Sequence, residues 1–300
     1  MGDVSLITGF VLRDFTIIVL AAMLLGLFAH AVMRGIRGKS SRRPAAGVDV
    51  SHFTSLDFFV CFIVLSIFLA RVFAVEVIHE AMEKAGEQEM TADTAVFGFV
   101  AQIIEYLLFG GIIIVMLKWV GQRDPAQVFG LRHLPLRKIL IWVVIGGILG
   151  VVGATLINFR STEFVERAFG ESELQPAVES LASERSPVIL AVLIISPIIV
   201  APLFEELVFR GYFYGILKKY TDPMFSALIS GAIFGAIHLN AAALLPLWFF
   251  GIFLALSYEF TRSLWVPIGI HALFNANTVF WLLFGDNFGF IEEPPIPVEP

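Results

Sequence analysis

Eight stretches of this chain are apolar for long enough to cross a lipid bilayer, and that property alone removes most soluble folds from consideration. A spanning helix needs roughly 20 predominantly apolar residues. Candidates run over 15–33, 58–77, 95–117, 139–157, 187–217, 223–240, 246–258 and 264–284, the seventh being short. Of 300 residues, 58% are hydrophobic, 15% are charged and 30 are Phe, which is more apolar surface than a soluble domain of this size hides. The surplus faces lipid. The expected fold is an all-α integral membrane protein of about eight transmembrane helices, with the lipid bilayer as its first partner.

Topology follows the Lys and Arg of short loops and not the net charge of −6. Arg34, Arg37, Lys39, Arg42 and Arg43 follow the first span, and Lys118, Arg123, Arg132, Arg137 and Lys138 follow the third. Lys218 and Lys219 follow the fifth, and Arg262 the seventh. These loops are expected on the cytoplasmic side. The acidic runs Glu80, Glu83, Glu87, Glu89, Asp93 and Glu163, Glu166, Glu171, Glu173, Glu179, Glu184 then lie outside, as do both termini. The first span lacks a basic leader and precedes its positive cluster, so it reads as a retained anchor. Cys61 is the sole cysteine, which excludes an intrachain disulfide and leaves cysteine-based metal sites or nucleophiles without support. A basic stripe with interleaved aromatics is missing, so nucleic acid is not an expected partner.

Ionisable side chains at membrane depth cost about 2.5 to 3.5 kcal/mol on insertion scales and usually face the protein interior. They concentrate in the second half of the chain. In the run Pro202-Leu-Phe-Glu205-Glu206-Leu-Val-Phe-Arg210-Gly211, Glu205 lies roughly 18 Å below the helix end near Leu217 at 1.5 Å per residue. Glu206 and Arg210 are four apart and share a helix face, as an ion pair prefers, while Glu205 points about 100° away. A buried carboxylate left free of that pair suits a general base. The purely structural alternative is a salt-bridge cluster that fixes helix register. His238, in Phe234-Gly-Ala-Ile-His238, sits 15 residues into the sixth candidate, at a depth close to that of Glu205. His271 and Asn275 project from one face of the last span at i and i+4, placed either to donate to an oxyanion, to bind metal, or to act as interhelical polar glue. Gly146 with Gly150 and Gly231 with Gly235 mark close helix packing, the second pair just before His238. Glu105, Arg71 and Glu76 also lie near membrane depth, with no role beyond pairing or snorkelling.

The run Glu205-Glu206-x-x-x-Arg210, the phenylalanine four before His238 and the pair His271-x-x-x-Asn275 together resemble the CPBP family of intramembrane glutamic proteases. This is the family of the CAAX prenyl endopeptidase Rce1 and the bacterial Abi proteins. The resemblance covers about 190–282 and extends to Arg210-Gly-Tyr-Phe-Tyr-Gly and Leu264-Trp-Val-Pro-Ile-Gly-Ile-His271. It implies a helical core with a cavity reached from the cytoplasm, in which Glu205 and His238 activate water, His271 and Asn275 stabilise the oxyanion, and Glu206 with Arg210 hold the base. It divides the chain into N-terminal helices and an extramembrane loop (1–186), a catalytic core (187–285) and an acidic tail (286–300). It also implies an endopeptidase of a prokaryotic plasma membrane that acts on membrane-associated or prenylated peptides without a cofactor. Two other readings compete. A zinc protease would use Glu205, His238 and His271 as ligands, a His₂Glu set, although a compact His-Glu-x-x-His helix is missing. A non-enzymatic scaffold or proton-coupled transporter would use the same groups as a relay, although the internal repeats of transporters are not found.

Overall fold

The computed structural model describes residues 47–61, 63–64, 66–67, 92–169, 187–238 and 240–284. The first candidate span, Arg71, Glu76, most of the second span, the basic loop 34–43 and the tail 286–300 lie outside the described residues. Among the described residues every regular element is helical. Helix α1 spans Ala92–Val115 and runs into a π-helical turn, Met116–Val120. The short α2, Pro125–Val128, is capped by the Asp124 side chain, which accepts from Ala126 N, with Pro at its first position. Helix α3, Leu136–Phe169, has 34 residues. The polar segment 158–186, read from sequence as an extramembrane loop with modest helical pattern, is helical up to Phe169, where Arg160 and Arg167 meet Glu163 at the surface.

The fifth candidate is one continuous rod with changing pitch. It passes through α4 (Pro187–Ile195), a π segment (Ser196–Val200), α5 (Ala201–Glu206), a second π segment (Leu207–Tyr214) and α6 (Gly215–Tyr220). Helix α7, Pro223–Ala236, starts on an Asp222 cap that accepts from Phe225 N. Helix α8, Ala241–Thr261, starts on an Asn240 cap that accepts from Ala243 N, and α9 is Trp265–Phe284. Five helical stretches are long and apolar enough to cross a membrane. The sixth candidate is shorter than expected and the seventh longer. With 14 residues, α7 is only about 21 Å long, because the chain turns at 237–238 and the Asn240 cap opens α8 early.

Helices α7 and α8 pack with their backbones in contact. A Cβ on Gly231 would lie 2.8 Å from Ile252 N and 2.9 Å from Trp248 O, and one on Gly251 would lie 2.6 Å from Gly231 Cα. The expected closeness at Gly231 and Gly235 is thus real, and its partner is α8. Helix α3 closes over the other side, where Gly146 receives Ile270 and Gly150 receives Phe250. Its outer face, with Leu140, Ile141, Val144, Ile148, Leu149, Val152 and Leu156 exposed, is the surface a lipid environment covers.

Basic positions assigned to one side gather at one end of the molecule. Leu264 N donates to Phe129 O at 3.0 Å, which seats the segment after α2 beside Arg262. Lys218 Nζ donates to Glu259 at 2.6 Å and to Val48 O at 2.8 Å, which brings the residues after the first basic loop to the same end.

Candidate active site

Pro197 and Pro202 explain the pitch change above the two glutamates. In a π segment each carbonyl takes its hydrogen from five residues ahead, and Ala201 N does donate to Ser196 O. Pro202 has no N–H, so Pro197 O is left without its donor. Asn275 Nδ2 donates to it at 2.7 Å. The last helix is thereby pinned to the kinked one, and one amide hydrogen of Asn275 remains for other use.

Glu205 and Glu206 point to different neighbours, as adjacent residues on a helix must. Glu206 is fully buried, and its Oε1 accepts from Arg210 Nη1 at 2.7 Å and from His271 Nδ1 at 2.9 Å. Arg210, equally buried, also donates from Nη2 to Gly251 O at 3.1 Å and lies 4.4 Å over the Phe234 ring. The arginine and glutamate therefore hold His271, on α9. Because Nδ1 donates to Glu206, the other ring nitrogen is turned toward Glu205, with His271 Nε2 3.9 Å from Glu205 Oε2. That gap is too long for a direct hydrogen bond and short enough for one solvent molecule to touch both groups. Glu205 keeps 13% of its side chain exposed, against 4% for His271.

His238 lies two residues beyond the end of α7 and not inside a helix as expected. The backbone has left the α-helical pattern there, with His238 N on Gly235 O at 3.3 Å. Its Nδ1 meets Phe234 O at 2.7 Å, which directs Nε2 away from the backbone. The Phe234 ring separates the two histidines edge-on, with centroids 5.1 Å from His238 and 5.6 Å from His271. Glu205, His271 and Arg210 are the charged or titratable groups whose fields reach His238. Among the described residues, no three His, Cys, Asp or Glu side chains converge as a metal site, so the set Glu205, His238 and His271 is not assembled as ligands.

Two participants escaped the sequence reading. Tyr106, on α1, donates to Glu205 Oε1 at 2.7 Å across 99 residues of chain. In an apolar run a single tyrosine looks like any other core aromatic. Glu259 is the other, a buried carboxylate that accepts from Lys218 and from Tyr214 Oη at 2.9 Å. Its partner is 41 residues away, so no local spacing reveals the pair.

Residues 187–277 match the family described as type II CAAX prenyl endopeptidase Rce1-like. This stretch is similar to the Rce1-like family. All six motif residues, from Glu205 to Asn275, fall within the Rce1-like stretch, and Tyr106 falls outside it. The chain is 38% identical over 87 residues to the putative membrane peptidase YdiL of Bacillus subtilis, covering 29% of this chain and 36% of that one. It is 27% identical over 156 residues to the membrane-embedded CAAX protease MroQ of Staphylococcus aureus, covering 50% of this chain and 60% of that one. The matches thus span between about a third and three fifths of those relatives. No solved structure matches.

Proposed function

We propose that this chain is an intramembrane endopeptidase that hydrolyses a peptide bond with a water activated at Glu205. The carrying observation is the 3.9 Å gap between Glu205 Oε2 and His271 Nε2, flanked by groups that fix both side chains from behind. A water in that gap gives one proton to Glu205 as its oxygen bonds to the scissile carbonyl carbon. Glu206, on Nδ1, fixes the His271 ring so that Nε2 faces the same space, where a hydrogen on that nitrogen would serve the developing oxyanion. The second amide hydrogen of Asn275 can serve the same oxygen. His238, tethered at Nδ1 and within reach of the Glu205 field, would assist that carboxylate in activating the water. Glu205 then passes its proton to the departing nitrogen as the C–N bond breaks, giving a carboxylic acid and an amine; the acid's remaining proton, the second of the water, moves to the amine and leaves a carboxylate and an ammonium.

The Rce1-like description names prenyl endopeptidases, so a prenylated C-terminal peptide is the first probe for this chain. The clustering of Lys218, Arg262 and the segment after α2 at one end supports a cavity that opens toward the cytoplasm of a plasma membrane. The test compares purified, detergent-solubilised wild type with Glu205→Gln on quenched prenylated and membrane-anchored peptides. The wild type is expected to cleave at least one, and the variant to be about 100-fold slower or worse. Equal rates would remove the hydrolytic reading. Preincubation with a zinc chelator is expected to leave the rate unchanged, and loss of activity restored by zinc would replace this mechanism with a metal-dependent one.

A further inference from the structure

We propose that Tyr106, on a helix outside the Rce1-like stretch, is a positioning residue that aims Glu205 at the reacting water. The inference rests on the reading of Glu205 as general base and adds a part of the chain that the family match does not cover. The phenol is 2% exposed, and its oxygen stands 2.7 Å from Glu205 Oε1. Direction follows from the donor inventory. Gln102 Nε2, one turn earlier on α1, lies 3.1 Å from the same oxygen and can only donate to it. The single phenolic hydrogen is thus left for the carboxylate, which makes a polarised chain from Gln102 through Tyr106 to Glu205.

Packing holds that chain in place. The Tyr106 ring stacks on Phe204 with centroids 5.4 Å apart and planes 2° from parallel. One turn further along α1, a Cβ on Gly110 would come within 3.1 Å of the Phe204 ring, so α1 lies close against α5. Engaging Oε1 from this side leaves Oε2 as the oxygen that faces His271 Nε2. The other charged or titratable groups placed by Glu205 are Glu206 and Arg210 on its own rod, His271 on α9 and His238 beyond α7. The hydroxyl of Tyr106 is the group placed on the far oxygen. Without it the carboxylate can rotate about its last bond, and the base is no longer presented in one orientation.

The experiment has two arms on the full chain in detergent. Thermal unfolding of wild type, Tyr106→Phe, Glu205→Gln and the double variant forms a cycle that reads the contact itself. The two changes are expected to be non-additive, and additivity within error would overturn the proposal. Tyr106→Phe keeps the stacked ring, so its melting temperature is expected within a few degrees of wild type. The kinetic arm uses a quenched farnesylated peptide and the quenched membrane-anchored peptides. Tyr106→Phe is expected to lower kcat about tenfold or more while KM stays within about twofold. In the Glu205→Gln background it is expected to change nothing further. A coupled pair with unchanged kcat, or a loss carried wholly by KM, would overturn the positioning role. If wild type cleaves no probe, or Glu205→Gln cleaves as fast, the hydrolytic reading fails and the positioning role falls with it, while the unfolding cycle still judges the contact.

Discussion

At the scale of single residues, the site is held together by charges that cannot be removed one at a time. Glu206 and Arg210 are both fully buried, and the arginine divides its fork between a carboxylate and the Gly251 carbonyl. Arg210→Ala leaves the buried Glu206 carboxylate with His271 Nδ1 but without its guanidinium, and breaking such a buried pair costs about 3 to 5 kcal/mol. Its melting temperature in detergent should fall steeply. The double variant Glu206→Ala, Arg210→Ala should fall by less than the sum of the single changes, and full additivity would show the pair to be uncoupled. Arg210→Lys replaces a planar fork, whose two amino groups meet Glu206 and Gly251 separately, with a single nitrogen that reaches less far, and should behave closer to alanine than to wild type. This pair was legible in the sequence because i, i+4 spacing on a helix dictates it. The destination of Asn275 was not. Its spacing from His271 gave the face correctly, but the Pro197 carbonyl that claims one of its hydrogens is orphaned by Pro202, and only the tertiary fold brings the two together.

Among elements, the decisive contact is between α7 and α8, where backbone meets backbone. Gly231 and Gly251 face each other, and the carbonyl of Gly251 is also the one that Arg210 holds. A methyl at either position would lie within 2.9 Å of main-chain atoms that cannot swing aside, so the helices must separate. Gly231→Ala should therefore destabilise by about 1 to 3 kcal/mol, read as a lowered melting temperature. Gly111→Ala, whose added carbon meets nothing within 4 Å, should be neutral or slightly stabilising. Equal effects at the two sites would show that the α7 and α8 contact carries no special weight. The glycine spacing announced a close approach, and hydropathy announced the spans. Neither located the end of α7. Ile237 and the run Ala241-Ala-Ala-Leu-Leu245 are apolar on both sides of the break, so a hydropathy window runs on through a turn that the Asn240 cap and the early start of α8 impose. His238 consequently sits on that turn, where its ring is free of the helical face that the sequence had assigned to it.

At the scale of the whole molecule, a strap at residues 48–57 docks on the Rce1-like stretch, beside the contacts that α1 and α3 make with it. Val48 N donates to Glu259 at 3.3 Å, Val48 O accepts from Lys218, and Phe53 is buried against Tyr212. Thr54 and Asp57 cap each other's backbone at the start of the helical residues 55–61, and Asp57 also accepts from Tyr212 Oη at 3.0 Å. Within this strap His52 is the group that senses pH. Burial holds its imidazole below the ordinary value of 6.5, with Arg123 adding to the effect and Asp49 opposing it. Among the described residues its Nε2 is buried without a partner. An unfolded or detached strap therefore binds more protons than the docked one between the lowered value and 6.5, so docking strengthens as pH rises. As pH falls below about 6.5, the charged imidazole must be accommodated or released, and that part of the stability is lost. His52→Phe removes the titration and keeps a ring beside Phe53, whose centroid is 4.1 Å away. Melting temperature and protease resistance of the segment around 43–53 should fall more for wild type than for His52→Phe between pH 7.5 and pH 5.5. Parallel pH dependence in the two proteins would assign the effect to other groups and leave the strap indifferent to His52.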